Sequence, residues 1–497
     1  MQRFRCSRSR SKWPCGRVDS VGKDATCSFM GCVSSIAVRR SFEIAVFALF
    51  DVERSPECFS GGFPEHELWF MSGAVRGRCF PRRLGARSPA MLFELRLLAY
   101  RLAKPLQWPV SRVVAIPRPT ALVGPGSAQR LCAMIGEFGV RRVMIVTDAV
   151  LVKLGMVEPL RGALAGHGID VAVHDAITPD PTYPVLQAGL AAVRAHRSDA
   201  ILAIGGGSVI DAAKVIDAMA VSGKSPQKLV GVLKIGKPML PLFAIPTTAG
   251  TGSEVTVAAV VTDPVKHAKA AVIDPRLVPL ATALDPTLMT GMPKPITAAT
   301  GMDALTHAVE AYVNRWPHGE TAFHCIAATR MIFANLPRAY EHGDDLEARE
   351  AMAVAAFYAG LAFTKAYVGY VHAFSHKIGG MYGVPHGLGN AVTLPYVLDF
   401  LKDAPRAEER LAELAVAIGA GTESEPKPVL AQRFVDRVRE LNRAVGIPEE
   451  IEALERSDVG EIARAAMIEA HRDYPVPKTM SLPEAESLLR RMLRTAH

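Results

Sequence analysis

Asp303, His307, His372, His376 and His386 are the residues of this sequence best suited to chemistry. They fall in two segments, GMDALTHAVEAY (301–312) and GYVHAFSHKIGGMYGVPHGLGN (369–390). Asp303 and His307 stand four apart among Ala304, Leu305, Ala308 and Val309. That spacing suits a buried helix with both polar side chains on one face, one turn apart. One carboxylate and several imidazoles suit a divalent first-row ion such as Fe²⁺ or Zn²⁺. A lone histidine in an apolar helix is more often a hydrogen-bonded core residue. Five such groups beside Gly379, Gly380, Gly383, Gly387 and Gly389 favour a site instead. A buried carboxylate is also costly without a cation or donors to compensate it.

The motifs GMDALTHAVEAY, GYVHAFSHKIGG and VPHGLGNAV resemble those of the iron-containing (group III) alcohol dehydrogenase family, and the resemblance runs from about Arg118 to the C-terminus. It implies a ligand set of Asp303, His307, His372 and His386. It leaves His376, one helical turn from His372, as a neighbour of the ligands or a proton relay, with a hydrogen-bonded packing role as the alternative. The implied fold is an α/β Rossmann-like dinucleotide-binding domain followed by an all-α metal-binding domain, the dehydroquinate synthase-like architecture. The implied activity is hydride transfer between an alcohol and NAD(P). Fe²⁺ is the ion the family name carries, and the same donors would take Zn²⁺ as readily.

The elements that position these residues occupy a chain of 497 residues, long enough for two domains and additional material. With 49% apolar and 21% charged residues, the composition is that of a globular protein. Charges such as Asp148, Asp199 and Asp211 interrupt each apolar run before it reaches membrane-spanning length, so a membrane role is not expected. The formal charge of +8 would suggest nucleic acid, but residues 1–90 hold 15 Lys/Arg against 8 Asp/Glu, leaving the remainder nearly neutral. No nucleic-acid partner is expected. Six of the eight cysteines also lie before residue 90; the two that follow, Cys132 and Cys325, have no ligand-like spacing and suit a reducing, cytoplasmic setting.

Residues 1–90 lack sustained periodicity and read as a disordered leader, or as upstream sequence ahead of a true start at Met91. Residues 91–117 open with an amphipathic pattern whose expected apolar stripe runs through Leu92, Leu95, Leu98, Leu102 and Leu106. Residues 118–285 alternate apolar strands (143–147 among them) with helical stretches such as 183–196, which indicates a parallel sheet covered on both faces. From residue 286 the prolines Pro286, Pro293 and Pro295 mark a linker, and helical periodicity from residue 298 makes 286–497 an all-helical domain. The clearest helical patterns cover 322–334, 346–363, 407–418 and 429–445.

Two glycine loops lie in the α/β part. ILAIGGGSVIDAAK runs from a strand through Gly205, Gly206, Gly207 and Ser208 directly into a helix. Glycines let a phosphate approach the backbone, and the first helical amides point at it. The loop lacks the G-x-G-x-x-G fingerprint, so a tight turn alone would also explain it. The resemblance assigns it to the pyrophosphate of NAD(P) and puts Asp211 near the nicotinamide, in the catalytic neighbourhood. IPTTAGTGSE offers hydroxyls at Thr247, Thr248, Thr251 and Ser253; the resemblance gives the three threonines to the cofactor, with Lys269 beside them. Asp148, after the strand ahead of the phosphate loop, suits a ribose and would repel a 2′-phosphate, favouring NAD over NADP; the alternative is a helix N-cap.

A cation with an open position would acidify an alcohol, and the nicotinamide would accept its hydride. Asp180 stands where relatives often carry Asn. Lys365 and Lys377, if they line the cleft, would favour an anionic substrate such as a hydroxy acid; solvated surface charges are the alternative. Besides the alcohol or aldehyde reading, the architecture admits a hydroxyacid–oxoacid transhydrogenase and a dehydroquinate synthase-like lyase. D-x-x-x-H at Asp303/His307 disfavours the lyase. A homo-oligomer, dimer or higher, is expected.

Overall fold

The computed structural model describes residues 93–101, 116–264, 268–316 and 319–494. The expectations for residues 1–90, including a start at Met91, lie outside them. In the first helix, α1 (residues 93–101), Leu97 is fully buried, with Phe93 and Tyr100 partly buried against the helical core, whereas Leu95 and Leu98 are 40% and 46% exposed. This corrects the expected leucine stripe. The i, i+4, i+7 face carrying two aromatic rings buries more apolar area than the leucine face and wins the contact. Leu92, Leu102 and Leu106 lie outside the described residues.

The α/β part contains β1 (Thr120–Val123), α2 (Ser127–Glu137), β2 (Arg142–Val146), α3 (Ala149–Lys153), α4 (Glu158–Gly166), β3 (Asp170–His174), α5 (Tyr183–His196), β4 (Ala200–Gly205), α6 (Gly207–Ser222), α7 (Pro226–Leu229), β5 (Gly231–Val232), β6 (Leu242–Pro246), β7 (Ala258–Asp263), β8 (Ala268–Ile273) and β9 (Ala281–Leu284). Six strands form one parallel sheet in the order β1-β9-β6-β4-β2-β3. Strand alternation sends Met144, Val146, Ile201, Ala203, Leu242 and Ala244 to one face, under α5 and α6. Val143, Ile145, Leu202, Ile204, Phe243 and Ile245 go to the other, under α2 and α4. Both faces are covered, so β4 (AILAIG) is buried throughout and its run of apolar residues does not alternate with polar ones. A second sheet, β5-β8-β7, was not anticipated; its antiparallel pair β7–β8 is half-buried and its sequence does not alternate sharply between polar and apolar residues.

The helical part comprises α8 (Lys294–Val313), α9 (Glu320–Glu341), α10 (Leu346–Ala366), α11 (Tyr370–Tyr382), α12 (His386–Leu401), α13 (Pro405–Ala417), α14 (Lys427–Ala444), α15 (Val459–Asp473) and α16 (Leu482–Arg490). Pro295 is not linker, as expected, but occupies the first turn of α8. There its missing N–H costs nothing and its fixed φ favours the helix. From Gly301 to Val313 α8 is buried on every side, which explains why its neighbours are small or apolar all round. Arg349 of α10, 1% exposed, fastens this helix: its guanidinium donates to Thr297 Oγ1 (2.8 Å) at the start of α8 and to the carbonyl of Gly343 (2.9 Å). Among the described residues no single helix is long and apolar enough to cross a membrane; α10 and α11 meet both conditions only jointly, across a 103° bend.

Candidate metal and dinucleotide site

The structure brings Asp303, His307, His372 and His386 together. One ligand atom from each lies within 4.8 Å of all the others, although Asp303 and His307 come from α8, His372 from α11 and His386 from the first turn of α12. His386 Nε2 is 3.7 Å and His372 Nε2 4.0 Å from Asp303 Oδ1. The His307 ring stacks between Phe363 (4.2 Å between centroids) and His372 (4.7 Å). Asp303, His307 and His372 are 2–5% exposed, while the His386 side chain is 28% exposed and forms the open side of the group.

Burial disfavours charge on all three imidazoles. It pushes His372 well below its ordinary value and His307 below it; His386 falls to about 3 even though Asp303 pulls the other way. Neutral imidazoles beside a carboxylate present lone pairs to one another, an arrangement short of donors. The donor that answers is Asn390 of α12, fully buried. Its Nδ2 lies 2.7 Å from Asp303 Oδ1 and 3.1 Å from both His372 Nε2 and His386 Nε2, while its own Oδ1 is buried without a partner. One amide cannot satisfy three acceptors with two hydrogens. A carboxylate and three neutral imidazoles with converging lone pairs therefore fit a divalent cation of the Fe²⁺ or Zn²⁺ type.

Two polar residues beside the group were missed from the sequence, Glu310 and Asn390. Glu310 is 3% exposed; its Oε2 accepts from His372 Nδ1 (2.7 Å) and Gly369 N (2.8 Å), and its Oε1 from Val371 N (2.7 Å). Both carried a readable signal. Asp303, His307 and Glu310 fall at i, i+4 and i+7, and His386 and Asn390 at i and i+4, one polar line down an otherwise apolar helix in each case.

His376 is not among the converging atoms. Its ring stacks on His386 at 5.2 Å and 15°, and its Nδ1 lies 2.7 Å from Glu469 Oε1. Burial would raise the Glu469 carboxyl, but His376 and Lys377 outweigh it and hold the group down to about 2. The same carboxylate accepts from Lys377 Nζ (2.9 Å) and the Tyr474 hydroxyl (2.8 Å). His376, Lys377 and Glu469 line a cavity of about 600 Å³, closed on the α/β side by Val260 and Lys269 of the β7–β8 hairpin. Lys365 lies elsewhere, 3.8 Å from Glu320. A larger groove of about 860 Å³ on the helical half, lined by Phe323, Met331 and Ile418, contains none of these groups.

The two glycine loops sit at the C-terminal ends of adjacent strands, β4 and β6, joined by Thr247 N donating to Gly205 O (3.0 Å). Gly206 is the N-cap of α6. A Cβ on Gly207 would lie 2.6 Å from Thr251 Cγ2, and one on Gly206 would lie 3.4 Å from Thr248. Glycine is what allows the loops to meet. Ser208 Oγ accepts from Asp180 N (3.4 Å), and Lys269 pairs with Asp180 Oδ1 (2.7 Å). Asp180 has φ 51°, a left-handed conformation that Asn and Asp tolerate best among side-chain-bearing residues, so the exchange with Asn is sterically neutral. Asp211 is turned inward, its Oδ2 accepting from Val260 N (2.8 Å). Asp148 caps α3, its Oδ1 accepting from Val150 N and Leu151 N.

The same loop meets the helical half directly. A Cβ on Gly250 would lie 2.7 Å from the carbonyl of Thr300, in α8, and one on Gly252 2.8 Å from Gly360 Cα, in α10.

Residues 118–286 match the family described as iron-containing alcohol dehydrogenase, and residues 297–493 match the C-terminal region of the Fe-containing alcohol dehydrogenase family. The chain is 40% identical to alcohol dehydrogenase 4 of Schizosaccharomyces pombe, covering 64% of this chain and 74% of that protein. It is 38% identical to the NAD-dependent methanol dehydrogenase of Bacillus methanolicus, covering 66% and 86%. The solved structure of an alcohol dehydrogenase from Oenococcus oeni superposes with a TM-score of 0.74 at 33% identity, over 76% of this chain and all of that one. The chain therefore belongs to the iron-containing alcohol dehydrogenase family and is an oxidoreductase that interconverts alcohols with their aldehydes or ketones.

Proposed function

We propose that the protein is a divalent-metal-dependent, NAD-linked dehydrogenase of small, neutral alcohols, with Fe²⁺ as its ion and Zn²⁺ as a competent substitute. The convergence of Asp303, His307, His372 and His386 beside a cavity shared with the β7–β8 hairpin carries the reading. When bound, the cation supplies Lewis acidity at the alcohol oxygen and the nicotinamide supplies the hydride acceptor.

The residues of the chain do the rest. Gly205, Gly206, Gly207 and Ser208 present the first amides of α6 to the pyrophosphate, and Thr247, Thr248 and Thr251 offer hydroxyls across the loop contact. Lys269, tied to Asp180, stands where the dinucleotide meets the cavity. Asp211, buried behind Val260, positions the hairpin wall rather than touching substrate. Asp148 accepts from ribose hydroxyls with the oxygen not used in capping, which disfavours a 2′-phosphate and so NADP. His376 donates Nδ1–H to Glu469, leaving Nε2 as the atom that takes the alcohol proton and passes it to the cavity water.

The cations around the cavity speak for a neutral substrate. Lys377 is paired with Glu469, Lys269 with Asp180 and Arg472 with Asp473 (2.8 Å). Among the described residues that line the cavity, each lysine and arginine is paired with a carboxylate, which disfavours the hydroxyacid–oxoacid transhydrogenase. The methanol dehydrogenase among the relatives points the same way, toward a short alcohol. The test is NADH formation with a panel of short alcohols and hydroxy acids, before chelation, after it, and after restoring Fe²⁺ or Zn²⁺. Turnover with neutral alcohols that disappears with the ion and returns with it is the expected result; turnover indifferent to chelation, or confined to hydroxy acids, would overturn the proposal.

A further inference from the structure

Glu310 has no place in the chemistry outlined so far, yet it is a buried carboxylate with three partners beside the ligand group. Its three partners come from one short stretch: Gly369 N, Val371 N and His372 Nδ1, at 2.8, 2.7 and 2.7 Å. A Cβ on Gly369 would lie 2.8 Å from Glu310 Oε1, so the stretch can close on the carboxylate only as glycine. The two amides belong to the start of α11, whose N-cap Gly369 has no side chain to satisfy them. Glu310 therefore anchors the helix and turns the ring of its third residue in a single contact.

We infer that Glu310 is the positioning residue of the metal centre. It holds His372 with Nδ1 as donor and the Nε2 lone pair turned toward Asp303, Asn390 and His386, and so sets the affinity of the site for its ion. The physical requirement is general: an imidazole ligand needs its second nitrogen tied to fix tautomer and orientation. Glu310 rides on the same face of α8 as Asp303 and His307, so one helix delivers two ligands and the clamp on a third. A glutamine cannot replace it. All three partners are donors, and an amide offers one acceptor oxygen and one NH₂ that must face at least one of them.

The inference rests on reading the four residues as a metal centre, and its test separates the two. Zn²⁺ and Co²⁺ affinities of the wild type, Glu310→Gln and Glu310→Asp are measured by competition with a chromogenic chelator, together with the thermal midpoint of each protein stripped of metal. Glu310→Gln is expected to weaken binding about 10–100-fold, and the Co²⁺ absorption bands to shift as one nitrogen ligand changes orientation. Wild type that takes up no ion would remove the metal reading itself. Wild type that binds tightly while Glu310→Gln binds equally well, whatever its thermal midpoint, would overturn this inference alone. Should Glu310→Gln not accumulate folded, the wild-type Zn²⁺ form with ¹⁵N-labelled histidine gives the answer: a side-chain N–H protected from exchange and missing in His372→Asn supports the clamp, and no such proton overturns it.

Discussion

The two halves of the site are built from different materials. On the α/β side the proposed binding groups are backbone amides and hydroxyls, brought together because Gly206 and Gly207 leave room for Thr248 and Thr251. On the helical side they are long polar side chains from three helices, meeting at a point in apolar surroundings. A backbone site is encoded by what is absent from the sequence, a side-chain site by what is present. The first should fail by obstruction and by degrees, the second by deletion and at once.

The largest effect is expected from deletion. Asp303→Ala removes the only charged ligand, and the purified protein should lose its metal and at least about a thousandfold in kcat/KM. Metal analysis alongside turnover checks it, and near-normal activity would break the contrast. Gly207→Ala should act on the other half alone: with a methyl group 2.6 Å from Thr251 Cγ2, KM for the dinucleotide should rise about tenfold while metal content stays that of wild type. A fall in metal content would mean that the halves are not independent in this respect.

Buried acids sharpen the same comparison through pH. In the helical half Glu469 has His376 and Lys377; in the α/β half Asp217 has, among the described residues, Leu240 N alone (3.1 Å), and burial pushes its carboxyl from 3.8 up to about 8. The unfolded chain gives up this proton near the ordinary value and the folded chain only near the raised one. Between those two pH values the folded state holds the extra proton, so stability declines as pH rises through the window. Asp217→Asn should flatten that decline and raise stability at pH 8 by up to about 5 kcal/mol relative to wild type, read from denaturation midpoints at several pH values. The smallest effect belongs to Asp148→Ala. Loss of the cap should cost about 1 kcal/mol, and a ribose contact adds a shift in the NAD⁺ to NADP⁺ preference. An unchanged preference would leave Asp148 a cap and nothing more.

How legible each half was follows from the same difference. Asp303, His307, His372, His376 and His386 could be read because polar residues in apolar helices stand out; the family resemblance, not their spacing, set His376 apart from the four ligands. Glu310 and Asn390 obeyed the helical period, and were overlooked because neither carries a residue type associated with metals as strongly as histidine. The parallel sheet was readable from strands such as 143–147 and the helix Tyr183–His196, whose periods are sharp. The β7–β8 hairpin was not, since AAVVTD and AKAAVI are small, mixed and half-buried. In α1 the leucines drew the stripe to the wrong face; Phe93, Leu97 and Tyr100 show that residue size, not leucine count, decided it. Asp148 could be a cap or a ribose ligand by sequence, and capping is what its geometry displays.

The seam between the halves has a consequence of its own. At Gly252 and Gly360 main chain rests on main chain, and at Gly250 the loop leans on the carbonyl of Thr300, one residue before the helix segment that carries Asp303. The two halves therefore close to main-chain distance because three methyl groups are missing, as a shim sets a clearance. One more carbon at any of the three would push the loop off α8 or α10, and so shift the glycine loops relative to the helix that carries Asp303.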